Sequence, residues 1–279
     1  MAKKVFAALG RALCYTLLFI GMQFIVSFAV VLIGGAGMIA QYVYDNSFPD
    51  ITALVDQLSA YIYNKAMLIT LVSDVLALVF LWIFFAARKK NILAEVHVAR
   101  GVPGLAYIPL AVGGACLAGL VGTVLSMLPI PESVWEEYGA QSSMIGGSGI
   151  MAVLASVIIA PLTEEVFFRG IVYTRLRRAM PPVVAMILSS LVFGLLHGQL
   201  IWVCYAFVMG MALCAVFERT GSIRASFTVH LAFNAVGGYL LDSVEAGALA
   251  AVIFACVTAA SWIWLGRICP YTKLHPEDF

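Results

Sequence analysis

The sequence predicts an all-α fold, a multi-pass transmembrane helix bundle of about eight spans, and three observations predict it. The 279 residues are 63% hydrophobic and only 11% charged, with a mean hydropathy of +1.01, whereas soluble domains carry roughly 25% charged residues. Apolar runs long enough to cross a hydrocarbon core recur along the whole chain. The basic residues are segregated: of 16 Lys and Arg, 14, and Arg169 at a helix end besides, lie in the N-terminal tail or near 88–103, 169–181, 218–224 and 266–279, as cytoplasmic segments require. The net charge of +1 and the lack of an aromatic-basic patch exclude a nucleic-acid binder.

The first apolar run, from Ala12 to about Ala40 behind Lys3, Lys4 and Arg11, reads as an uncleaved span. It is longer than the roughly 7–15 residues of a signal-peptide core. Spans are expected near 12–39, 66–87, 104–128, 149–168, 182–198, 200–217, 225–241 and 247–265, the short ones shielded by neighbours. Eight spans with the N-terminus inside place both termini and the basic segments in the cytoplasm. Asp45, Asp50, Asp56, Glu132, Glu136, Glu137, Asp242 and Glu245 then lie outside, with Lys65. Seven spans are the fallback, but an odd number puts Arg175, Arg177 and Arg178 on the wrong side. Gln41 to Lys65 mixes tyrosines with acids, as an interfacial hairpin or amphipathic helix does. Ser142 to Gly149 reads as a flexible lead into the fourth span, and the six scattered cysteines as reduced space-fillers. With no internal repeat or soluble segment, residues 1–279 form a single membrane domain.

Three polar constellations interrupt this apolar background. In Ile159-Ala-Pro-Leu-Thr-Glu-Glu-Val-Phe-Phe-Arg-Gly170, Glu165 and Arg169 are four apart and can pair on one helix face, while Glu164 turns toward a neighbouring face. Intramembrane charge costs roughly 2.5–3.5 kcal/mol per residue on insertion scales and marks function. An ion pair accounts structurally for Glu165 and Arg169 but not for Glu164, a carboxylate placed to act as general acid or base. Pro161 leaves the Val157 carbonyl without its helical donor and is expected to kink the span. The second constellation is Phe193-Gly-Leu-Leu-His197, beside a stripe formed by Ser190, Gly194 and Gly198. Ala206, Gly210 and Cys214 repeat that spacing, so the two helices should form a tight hairpin. The third is His230-Leu-Ala-Phe-Asn234, again four apart, able to donate two hydrogen bonds to one oxygen or to ligate a metal. His97 and His275 read as solvated background, and Asp74 in the second span as structural, paired with Arg169, lining a cavity or snorkelling outward. At 1.5 Å per residue His230 lies about 9 Å along its helix but His197 roughly 24 Å along its own. Either the 182–198 helix begins outside the membrane or tilts strongly, or the site sits near mid-bilayer.

The ordered set Glu164-Glu165-x-x-x-Arg169, Phe193-x-x-x-His197 and His230-x-x-x-Asn234 resembles the CPBP family of intramembrane endopeptidases. That family groups CAAX prenyl endopeptidases with bacterial Abi-type and bacteriocin-processing proteins. The resemblance covers residues 149–241, which form the expected catalytic core, and extends to the turn Arg219-Thr-Gly-Ser-Ile223. It implies hydrolysis of a peptide bond in a membrane-associated or lipidated substrate. Glu164 with His197 would activate water, His230 and Asn234 would bind the oxyanion, Glu165 would assist, and Arg169 would hold the carboxylates. The cofactor is none or a divalent metal such as zinc, with Glu164, His197 and His230 as candidate ligands; HExxH is absent. The implied partners are a peptide or protein substrate and the bilayer, and the implied location is a bacterial cytoplasmic membrane. A non-catalytic regulator or bacteriocin-immunity factor on the same scaffold stays open. So does a proton-coupled transporter, although no inverted repeat is visible.

Overall fold

The structure is a computed structural model that describes residues 2–47, 49–97, 100–145, 149–239 and 247–270. Asp242, Glu245, His275 and residues 146–148 of the glycine-rich lead lie outside the described residues. Among the described residues the regular elements are helices. They are α1 (Ala2–Tyr44), α2 (Ile51–Asn64), α3 (Ala66–Ala87), the single turn α4 (Ile92–Glu95), α5 (Tyr107–Ser126) and α6 (Glu132–Ile145). Then come α7 (Ile150–Arg177), α8 (Pro182–Leu195), α9 (Leu200–Thr220), α10 (Ile223–Tyr239) and α11 (Ala248–Ile268).

Six of these, α1, α3, α5, α7, α9 and α11, are long and apolar enough to cross a membrane. With the shorter α8 and α10 they make eight rods of a membrane bundle that alternate in direction along the chain. The outward faces fit that setting: Phe24, Ile25, Phe28 and Ile33 of α1 are more than half exposed, a patch far larger than a soluble monomer displays. At one end of the bundle lie Arg88, Lys89, Lys90, Arg175, Arg177, Arg178 and Arg219; at the other lie Asp45, Asp50, Asp56, Glu132, Glu136 and Glu137. The amphipathic α2 sits at this acidic end, as the tyrosines and acids of 41–65 suggest, although α1 runs on through Tyr44 first. The lead into α7, expected to be flexible from Ser142, is helical through Ile145 as the end of α6.

α7 is the interior helix, packed against α1, α3, α8, α9 and α10. It extends to Arg177, so Arg169 stands within the helix and is fully buried, where the sequence reading put it at a helix end. The helix can continue because the charge is neutralised inside the protein. α10 and α11 flank α5, and Gly114 lets α5 and α10 approach closely: a Cβ there would overlap the Val229 carbonyl oxygen. The expected α8–α9 hairpin forms with the expected small residues. A Cβ on Gly194 would come within 2.9 Å of the Val203 carbonyl, and one on Gly210 within 3.0 Å of the Ser190 side chain.

The hairpin turn explains where His197 sits. α8 stops at Leu195, His197 lies in the turn, and Gly198 takes a left-handed φ of 76° that a side chain would oppose. Gln199 then caps α9 by accepting from the Ile201 and Trp202 amides at 2.7 and 3.2 Å. At the basic end Gly221, φ 62°, closes α9, its amide donating to the Phe217 carbonyl at 2.7 Å.

Candidate active site

The backbone of α7 departs from α-helical register at the site. Residues Leu154–Ile159 and Glu165–Tyr173 are wound as π-helix, a form concentrated at functional sites. The Ala160 amide donates to the Ala155 carbonyl, five residues back. Ser156 therefore loses its α-helical donor, and the residue that would supply the π-helical one is Pro161, which has no N–H. The Ser156 carbonyl is thereby left without a donor from its own helix. Asn234 of α10 fills it, Nδ2 donating at 2.9 Å.

Glu164 and Glu165 occupy different surroundings. Glu165 is fully buried, with Oε1 3.0 Å from Arg169 Nη1 and 2.9 Å from His230 Nδ1. Arg169 also donates Nη2 to the Gly210 carbonyl at 3.3 Å and lies 4.5 Å over the Phe193 ring. The partner of Arg169 is thus Glu165 and not Asp74. Asp74 is buried in α3 beside Gln23 of α1, close enough to Glu164 for their charges to interact. Glu164 instead faces a cavity and keeps 18% of its side-chain surface exposed. Its Oε2 stands 3.4 Å from His230 Nε2, a buried atom with no hydrogen-bond partner among the described residues.

The histidines are oriented by their other nitrogens. With Nδ1–H of His230 donating to Glu165, Nε2 points its lone pair toward Glu164. His197 Nδ1 lies 2.9 Å from the Phe193 carbonyl, leaving its Nε2 for the cavity that it lines. Phe193 is wedged between them, ring centroids 4.9 Å from His197 and 6.0 Å from His230. The apparent mismatch in depth resolves in the helix lengths. Gly170 packs against Ile223 at the start of α10, whereas α7 runs on to Arg177 and α8 begins beyond it. α8 therefore starts nearer the basic end than α10, and its far end reaches the level of His230.

Glu164, His197, His230 and Asn234 open into one cavity of about 550 Å³, with Glu165 and Arg169 immediately behind. Its other walls were not anticipated: Tyr138 of α6, Trp202, Tyr205 and Met209 of α9, and Ser156 and Tyr239, hydroxyls 2.9 Å apart. Trp202, Tyr205 and Met209 fall at i, i+3 and i+7 on α9, a spacing that marks one face without saying what it faces. His97, read as solvated, is half-buried with its ring edge on to Phe217, 5.7 Å between centroids. A metal finds two facing donors here, Glu164 Oε2 and His230 Nε2. Among the described residues no three His, Cys, Asp or Glu side chains group as a metal site.

Residues 146–236, which hold all three motifs, match the family model described as type II CAAX prenyl endopeptidase Rce1-like. Over 84 residues the chain is 29% identical to the protein named "Putative membrane peptidase YdiL" of Bacillus subtilis (strain 168); the match covers 30% of this chain and 34% of that relative. No solved structure matches at a significant level. The resemblance to CPBP proteases holds over the segment from α7 to α10 that builds the cavity.

Proposed function

We propose that the chain is an intramembrane endopeptidase of a bacterial cytoplasmic membrane, and that Glu164 is its general base. One observation carries the reading: of two adjacent carboxylates, one is locked in a buried ion pair and the other faces a cavity shared with two histidines and an asparagine. In the step we infer, Glu164 with His197 takes a proton from water. The hydroxide oxygen bonds to the scissile carbonyl carbon. The oxyanion accepts from Asn234 Nδ2, which has a second N–H beyond the one given to Ser156, and from His230 Nε2–H of an imidazolium that takes its second proton from solvent before attack and keeps it through the cycle. Glu165, 2.9 Å from Nδ1, stabilises that charge. The C–N bond then breaks, and Glu164 returns its proton to the leaving amine. No step runs through a metal. Arg169 and Phe193 position these groups and do not touch substrate.

The test compares peptides released in membranes holding the wild type with those from Glu164→Gln, which keeps shape and removes the base. Peptides unique to the wild type are expected, with a loss of roughly 10²–10⁴ in rate for the variant. Matching peptide sets with a cellular phenotype in both would replace this reading with the non-catalytic regulator.

A further inference from the structure

We infer that the cavity is loaded from the extracytoplasmic face, so that the substrate is a peptide segment presented outside the cytoplasmic membrane and not a cytosolic chain end. The inference takes its substrate from the peptidase reading above; its orientation rests on two independent features of the molecule.

The first is where the cavity opens. Its lining extends to the acidic end of the bundle, through Met67 at the start of α3, Ser142 and Ser143 of α6, Trp202 at the start of α9 and Tyr239 at the end of α10, and includes no residue of the basic segments. The acids of α2 and α6 lie at this end, which Lys65 alone of the described Lys and Arg shares with them. The opposite end carries the basic loops. By the bias that retains Lys and Arg in the cytoplasm, that end is inside and the cavity mouth outside.

The second is how the basic end is closed. Glu218 of α9 accepts from Tyr173 at 2.6 Å and from Arg177 Nε at 3.0 and 3.1 Å, all three buried. The loop around α4 lies across this plug. Val96 is buried against Gly170, Glu95 pairs with Arg175 at 2.9 Å, and the Arg100 carbonyl accepts from Ser222. On the basic side of Glu164, Phe167 and Phe168 are buried, both packed on Phe19 of α1 and Phe168 also on Phe193. A peptide arriving from the basic side would have to break these pairs; from the acidic side it meets aromatic walls that already bound a cavity of ligand size.

Single cysteines at Ser143→Cys, on the cavity wall, and Lys89→Cys, at the basic end, are placed in the full chain with the six native cysteines replaced. A membrane-impermeant maleimide is then applied to intact cells. Labelling of Ser143→Cys is expected, with labelling of Lys89→Cys lost until the cells are permeabilised. The reverse pattern overturns the inference. Should the cysteine-free protein fail to accumulate, a protease-recognition sequence inserted after Ser47 in the otherwise native chain reads the same question: cleavage by protease added outside supports the inference, and protection overturns it. These readouts need no hydrolysis, so failure of the peptidase reading leaves them interpretable. Where wild-type hydrolysis is present, a bulky impermeant maleimide on Ser143→Cys should abolish it from outside; unchanged hydrolysis by fully labelled protein overturns the route.

Discussion

Replacing Arg169 by methionine tests whether charge compensation holds the interior of α7. The guanidinium is 1% exposed and Glu165 0% exposed, 3.0 Å apart. Removing one member of such a pair costs about 3–5 kcal/mol, since the other charge stays buried. A neutral interhelical hydrogen bond in a membrane averages only about 0.6 kcal/mol. The larger figure applies because Glu165, fully buried, would keep beside it only the His230 ring and the Ser226 hydroxyl, hydrogen-bonding groups in place of a fixed positive charge. The folded-to-unfolded ratio should fall roughly a hundred- to several-thousand-fold, at about 1.4 kcal/mol per factor of ten. Denaturant titration in mixed micelles measures it. The double variant Glu165→Gln, Arg169→Met leaves no unpaired charge and keeps an acceptor for His230, so it should recover most of the loss. A single variant that loses less than about 1 kcal/mol, or a double no better than the single, would refute the reasoning.

Gly114→Ala should cost about 1–3 kcal/mol by forcing α5 from the Val229 backbone beside His230, and should lower hydrolysis as well; Gly21→Ala, with nothing near its Cβ, is the control. For Glu95, burial pushes the carboxyl pKa up, but its bonds and attraction to Lys90 and Arg175 outweigh that and hold it below its ordinary 4.5. A depressed folded value means stability that is present above about 4.5 and lost as pH falls through the folded value. The difference in melting temperature between wild type and Glu95→Gln should shrink below pH 4.5, and a constant difference would contradict the pairing. Incubation with a strong chelator should leave wild-type hydrolysis intact, since among the described residues only Glu164 and His230 face each other as donors; loss restored by added zinc would contradict that.

The parts of the site legible in the sequence are those that helix geometry converts directly from spacing to face. Glu165 and Arg169 pair because they are four apart, and Glu164 diverges because it is one residue away. Ser190, Gly194 and Gly210 signalled a close α8–α9 approach because absent side chains do not depend on what surrounds them. What spacing could not show was register. α-Helical geometry assigns the Pro161 defect to Val157, and only the π-winding opens the Ser156 carbonyl that Asn234 fills. Nor does hydropathy report depth. The span containing Glu164 was expected to stop near residue 168, because hydropathy counts Arg169 and the arginines that follow it as a terminus whether or not they are paired. Tyr138 and Trp202 belong to helices that meet only in three dimensions, rings 5.9 Å apart.

The irregular backbone of α7 also accounts for why the site holds together. A π-wound helix leaves carbonyls imperfectly matched to its own amides, and in a membrane these must be satisfied inside the protein. Ser156 takes its donor from Asn234 on α10, and Phe168 receives the Ser189 hydroxyl of α8 at 3.4 Å. Gly170 and Ile171 each receive the Thr174 hydroxyl at 2.8 Å. Two of these donors sit on the helices that carry His230 and lead to His197. The bonds that repair the backbone of α7 therefore tie it to α10 on one side of the carboxylates and to α8 on the other. Winding of α7, orientation of the histidines and position of Glu164 follow from one set of contacts.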